Sequence, residues 1–265
     1  MSEFASALLV FALLCASAGL GIVISSRLPE RHRTRETVEL MQLTIGLLAT
    51  FAAIVLGLLT ASVEQDYDGA AQDRQRYALQ LTSLDQCLRD YGPGGATARA
   101  DMQSYTAAVI ASTWPNEPPP RGVSYPNTAQ MPRVGATPVL ARLMDKIGLE
   151  IGTLGSADPQ QAKIAALCLD RYKDVSHDRL AVIEDAGNHL SQPFYQILVL
   201  WLMIIFACFG LVAPRNRLSL TIIILCAVSL SSVMFVIVDL SEPYGGFFGI
   251  PSTAMRNALE AMRAT

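Results

Sequence analysis

Charge is scarce in this sequence, and its scarcity is uneven. Of 265 residues, 16% are Asp, Glu, Lys or Arg and 51% are hydrophobic, with a mean hydropathy of +0.35. A soluble domain carries about a quarter charged residues. Here the charges are missing in blocks: stretches 4–26, 40–63, 190–214 and 218–238 contain none. Each is long enough for a helix to cross a hydrocarbon core of about 30 Å, which takes about 20 residues. Lipid admits only helices or closed barrels, so the expected fold is all-α, with four transmembrane helices. No ionisable residue lies inside a span, which removes the usual mark of a proton-coupled transporter.

Other absences narrow the function. There is no CxxC pair for zinc or thioredoxin-type chemistry. His32, His177 and His189 have no ligand spacing such as HExxH, and neither GxSxG nor a P-loop occurs. An enzyme, a metal centre and a cofactor are therefore not expected. The net charge of −3 argues neither for nucleic acid nor for a polybasic lipid tether, and no nucleic-acid partner is expected. A cleaved signal peptide needs a positive n-region. Met1-Ser2-Glu3 offers an acid instead, so Ala16-Ser17-Ala18 is not expected to be a cleavage site. Of five cysteines, Cys15, Cys208 and Cys226 lie in spans. Cys87 and Cys168 lie between spans 2 and 3 and can pair only in an oxidising compartment.

The spans group as two hairpins. Residues 1–63 form the first, with spans at about 4–26 and 40–63, and 194–240 the second, with spans at about 194–213 and 218–238. Between them, 64–193 reads as a helical extramembrane region, and 241–265 as a C-terminal tail. Tyr77, Leu81, Leu84, Leu88 and Tyr91 recur at helical spacing, and Gly92-Pro93-Gly94-Gly95 stops that helix. A second helix is expected over about 96–114. Seven of the 24 residues in 115–138 are proline, which predicts a loop without regular structure. Asp158 is placed to cap a helix starting at Pro159. The period of Ile164, Cys168, Tyr172, Val175, Val182, Ala186 and Leu190 predicts that this helix continues into span 3 with a bend at Pro193. No stretch alternates with period two for long enough to argue a sheet.

Two hairpins put both turns on one face of the membrane. The turns hold Arg27, Arg31, Arg33, Arg35, Arg215 and Arg217; near the membrane on the other face stand Arg74, Arg76 and Arg179. Basic residues concentrate on cytoplasmic loops, so the turns are expected inside and the middle region outside.

Span 2 ends in LLATFAAIVLGLLTASVEQDYDG, 47–69. Ala49, Ala53, Gly57 and Ala61 form a small edge of the kind that lets helices approach closely. Phe51, Ile54, Val55 and Leu58 lie opposite. Acids follow at once, Glu64, Asp66 and Asp68, and Asp239 and Glu242 follow span 4 on the same face. Repeated around a symmetry axis, these five would form an acidic collar that favours cations; as isolated charges they are a solvated flank.

The segment IVLGLLTAS (54–62) followed by Tyr67-Asp68, then LSQPFYQILVL before span 3 and VDLSEPYGG after span 4, resembles the bestrophin channels. With the plan of hairpin, helical region and hairpin, the chain is identified as a member of the bacterial bestrophin-like membrane proteins. The resemblance implies a homo-oligomer, most simply a pentamer in the cell (inner) membrane, whose second spans ring a pore for inorganic ions. It places an apolar constriction at Ile54 and Leu58, with Thr50 one turn away. Three departures stand out. The basic and Asn residues after the Leu-Gly segment are absent. GFFGIPST replaces the acidic run that clasps calcium in animal members, so no calcium gate is expected, calcium preferring six to eight oxygen ligands. Bestrophins also hold the long helical region in the cytosol, opposite to the side the arginines indicate. The competing reading is a membrane-anchored binding or sensing module using the proline-rich loop.

Overall fold

In the computed structural model, described for residues 3–27, 35–132, 134, 137–155, 157–187, 192–214 and 216–264, the chain folds into eight α-helices. They are α1 (Glu3–Arg27), α2 (Arg35–Tyr91), α3 (Ala96–Thr113), α4 (Pro138–Gly152), α5 (Pro159–Gly187), α6 (Gln192–Val212), α7 (Arg217–Leu240) and α8 (Thr253–Arg263). No strand occurs among the described residues. Among the described residues, four helices are long and apolar enough to span a membrane: α1, α2, α6 and α7.

Helix α2 runs unbroken for 57 residues because no proline interrupts it and its glycines are isolated. It stops where the sequence stops it. Gly92 turns at φ 96°, a conformation that suits a residue without Cβ, and Pro93–Gly95 makes one tight turn into α3. Asn216 caps α7 by accepting the Ser219 amide at 2.7 Å, Thr137 caps α4 through the Leu140 amide at 3.2 Å, and Asp158 accepts the Gln160 amide at 3.0 Å. Each satisfies a helix-end donor that would otherwise need water. The expected continuation of α5 towards Pro193 runs across 188–191, which lie outside the described residues. Helix α5 is described as far as Gly187 and α6 from Gln192, with Pro193 within α6.

The chain divides into two compact units. The first comprises Met1–Asp66, His189–Glu242 and Gly246–Phe248. Its core joins Val10, Leu14 and Ala18 of α1 with Ala52, Leu59 and Val63 of α2, Leu198, Leu202 and Phe206 of α6, and Ala227 and Met234 of α7. The tightest approach is between α1 and α6. A side chain on Gly21 would fall on the Ala207 carbonyl oxygen, and one on Gly210 on the carbonyl oxygen of Ala18. Beside them the Ser17 hydroxyl donates to the Met203 carbonyl at 2.5 Å. Small residues and interhelical hydrogen bonds replace the hydrophobic effect, which is lost between helices in lipid.

The second unit comprises Tyr67–Asn188, Pro243–Gly245 and Gly249–Thr265. Tyr77, Leu81, Leu84 and Leu88 of α2 pack in one core with α3, α4, α5 and α8. Cys87 and Cys168 are joined in a disulfide, their Cα atoms 5.6 Å apart. Asp85, fully buried, is held by Arg89 at 2.9 Å and Arg99 at 3.0 Å, as a buried carboxylate must be. Helix α8 lies in what reads as a tail: its Met262 carbonyl accepts from Arg99 and Gln103, and Met255, Ala258, Leu259 and Met262 are buried. Arg74, a surface charge by its sequence surroundings, is also buried.

Candidate functional site

The membrane-spanning part of α2 has three faces. Ile45, Ala52, Leu59 and Val63 are buried; the first three recur every seventh residue, the seam of a helix packed along its length. Opposite that seam at 100° per residue runs a bulky row, Leu43, Leu47, Phe51, Ile54 and Leu58. Every member is exposed, Ile54 by 54% and Leu58 by 69%. Thr50 is exposed in the same row, and its hydroxyl donates to the Gly46 carbonyl of its own helix at 2.9 Å. The Thr50 hydroxyl proton is thus committed to its own helix.

The small edge flanks the row. Ala53, Gly57 and Ala61 are exposed and Ala49 is half-buried. Among the described residues, and apart from its own stretch of helix, nothing lies within 4 Å of where a Gly57 side chain would begin. The close small-residue contact inside one chain belongs to Gly21 and Gly210 instead. The sequence reading passed over that pair, although the run Ala16-Ser17-Ala18-Gly19-Leu20-Gly21 carried the signal.

The acids separate into two kinds. Glu64, Asp66 and Glu242 are exposed in the first unit, and Asp68 is exposed in the second. Asp239 departs from the collar expected of it. It is 1% exposed, and its carboxylate accepts the amides of Phe247 at 2.7 Å and Phe248 at 2.8 Å. The returning chain reaches it through Gly246 at φ 67°, where an added Cβ would fall on the Asp239 carboxylate. Asp239 thus pins the turn after α7 and presents no charge to water. Among the described residues no three His, Cys, Asp or Glu side chains are grouped to hold a metal ion; His32 and His189 lie outside those residues.

These features define a helical membrane protein of two spanning hairpins, with an unusually long second helix that exposes a bulky apolar row. The sequence matches the profile of the Bestrophin-like domain over residues 12–255. The chain belongs to the bestrophin-like family. Its fold is that of a bacterial bestrophin homologue from Klebsiella pneumoniae, seen in crystal structures of several point mutants. One aligns with a TM-score of 0.71 at 16% identity, covering 99% of each chain. Another aligns at 0.70 and 16% identity, covering 97% of this chain and 99% of that one, and a third at 0.70 and 14%, covering 98% of both. No curated protein sequence matches.

Proposed function

We propose that this protein is an oligomeric ion channel, most simply a homopentamer, with α2 innermost and an apolar constriction at Ile54 and Leu58. One observation carries the reading: the bulky row of α2 is exposed on the side opposite the seam that packs within the chain. Around a symmetry axis, Ile54 and Leu58 would form two apolar rings one helical turn apart, and Thr50 a third, more polar ring. Water is unstable in such a constriction, so ions pass rarely at rest. The small edge Ala49, Ala53, Gly57 and Ala61 is then the surface against neighbouring subunits. Glu64 and Asp66, exposed on the same helix, supply a collar that favours cations.

The test has two parts. The mass of the purified protein in detergent should be that of a homo-oligomer. In a reconstituted bilayer, Ile54→Ala/Leu58→Ala should raise the current several-fold over wild type by wetting the constriction. Neutralising Glu64 and Asp66 should weaken cation preference, most at low salt where screening is least. A monomer, or electrical silence of both proteins, overturns the channel and favours the binding-module reading. Against that second reading, the proline-rich loop is tied down within its own unit: Glu117 is paired with Arg256 at 3.0 Å, and Arg256 also donates to the Pro118 carbonyl at 2.8 Å.

Two independent features support a reading of the membrane side. Six arginines in or beside the two turns favour a cytoplasmic position for those turns. The Cys87–Cys168 disulfide needs an oxidising compartment to persist. Both favour the second unit on the outer, oxidising face of the cell membrane, opposite to the placement that the bestrophin resemblance implies.

A further inference from the structure

Arg74 sits in the second unit with 2% of its surface exposed. Its guanidinium carbon lies 4.5 Å from the centre of the Tyr244 ring and 5.1 Å from that of Trp114. Two aromatic rings therefore hold the cation by their faces. The indole nitrogen of Trp114 donates to the Ile250 carbonyl at 2.7 Å, which fixes the indole ring in place.

What the cation lacks is an acceptor. Neither Nε nor Nη2 is matched with an acceptor in good hydrogen-bond geometry. Those two nitrogens form the side edge of the guanidinium, the pair of parallel N–H groups whose spacing matches the two oxygens of a carboxylate. A buried donor with no acceptor is costly, and two of them stand side by side on this one guanidinium. Asp185, the acid that feels this charge, leaves its own Oδ2 unpartnered. Burial, followed by repulsion from Asp73, pushes the Asp185 carboxyl above the usual carboxylate range.

Arg74 also lines a cavity of about 520 Å³, within the range of small-ligand pockets. Gln75, Thr82 and Asn257 add polar groups to its wall, Ala78 and Ala254 apolar ones, and no acidic side chain is among its described lining residues. One fixed positive charge in a wall of amides, hydroxyls and methyl groups suits a singly charged anion with a short apolar tail. It suits phosphate poorly, since a doubly charged anion would want a second cation.

We propose that this cavity binds a short-chain organic carboxylate, with its two oxygens on Nε and Nη2 of Arg74 and its aliphatic chain against Ala78 and Ala254. Both nitrogens are covered as the chain stands, so entry requires the side chains around Arg74 to give way. Trp114, whose ring lies on the guanidinium, reports that movement. The site lies within the second unit and does not depend on conduction.

Trp114 and Trp201 are the two tryptophans of the chain, so Trp201→Phe leaves Trp114 as sole reporter. Full-length Trp201→Phe protein in detergent is titrated with sodium butyrate, and in parallel with sodium chloride at the same ionic strength. Butyrate should produce a saturable change in emission, half-complete at on the order of 1 mM, as so small a ligand allows. Arg74→Lys, which keeps the charge but loses the fork, should weaken binding about tenfold. Ala254→Phe fills the cavity while leaving Arg74 itself in the sequence, and should abolish the response while the oligomer stays the same size. An identical curve with chloride would make this a halide site, and an undiminished butyrate response in Ala254→Phe would place binding elsewhere. Either result, or a butyrate response that never saturates, overturns the proposal.

Discussion

Gly21 of α1 and Gly210 of α6 meet back to back: the Cα of Gly210 lies 3.0 Å from where a Gly21 side chain would begin. The obstacle to any substitution is backbone, which cannot swing aside as a side chain can. Gly21→Leu and Gly210→Leu should each force the two helices apart, costing about 1–3 kcal/mol or more. Gly57 makes a direct contrast, since among the described residues nothing beyond its own stretch of helix stands within 4 Å of an added Cβ. Gly57→Leu should leave the fold of the single chain intact and weaken only the association of copies along the small edge. Thermal unfolding in detergent, read beside the oligomeric mass, separates the two effects. A Gly57→Leu protein with wild-type mass and melting temperature would remove α2's small edge from the subunit interface.

Asp239 should matter through its hydrogen bonds. It accepts two backbone amides in a buried turn, and bonds to a charged group contribute about 1.5–3 kcal/mol each. Asp239→Ala leaves both amides without an acceptor and should destabilise by about 3 kcal/mol or more. Asp239→Asn keeps one carbonyl oxygen and should lose about half as much. Chemical or thermal unfolding measures both. Cation selectivity in reconstituted bilayers should be indifferent to Asp239→Asn, because the carboxylate does not face water.

Acid sensitivity should trace in part to Glu117. Burial pushes its carboxyl up, but hydrogen bonds from Ser252 and Arg256 and the charge of Arg256 outweigh that and hold it below the ordinary value of 4.5. A carboxylate with a depressed folded-state pKa adds stability that is fully present above its unfolded pKa, and loses it as pH falls through the folded value. The melting temperature of wild type should therefore drop as pH is lowered below 4.5. Glu117→Gln should melt lower at neutral pH and show a shallower decline in that window. Parallel declines in the two proteins would exclude Glu117 as a contributor.

The four spans were legible because a charge-free run of sufficient length has few alternative explanations in water. The stop at Gly92 and the start at Pro159 were legible because Gly, Pro and Asp act locally. Helices α4 and α8 carried a readable period as well. Leu140, Met144, Ile147 and Ile151 are all buried, as are Met255, Ala258, Leu259 and Met262, both at helical spacing. They were missed beside the proline-rich loop and in a short terminal segment. The fates of Asp239 and Arg74 were not readable, because each is set by partners from elsewhere in the chain. Asp239 meets two amides eight and nine residues on. Arg74 meets rings 40 and 170 residues away in sequence. An isolated charge beside a span looks the same in sequence whether it faces water or is enclosed.

The disulfide supplies the final prediction, because it joins stability to orientation. Cys87 and Cys168 close a loop of 81 residues, and a cross-link of that span stabilises by restricting the unfolded chain, typically by about 2–5 kcal/mol. Reductant should lower the melting temperature of wild type and leave Cys87→Ser/Cys168→Ser unaffected. If the second unit lies on the oxidising face, the bond should also form during expression in cells, visible as a mobility shift that reductant abolishes. Orientation can be read directly on a background in which Cys15, Cys208 and Cys226 are replaced by Ser. Lys163→Cys places an exposed thiol on α5, and Arg35→Cys places one at the start of α2. A maleimide that cannot cross the membrane should label Lys163→Cys in intact spheroplasts. It should label Arg35→Cys only after lysis. The reverse pattern would put the helical unit in the cytosol, where the pair would stay reduced, and the arginines of the turns would then face outward against the usual charge bias.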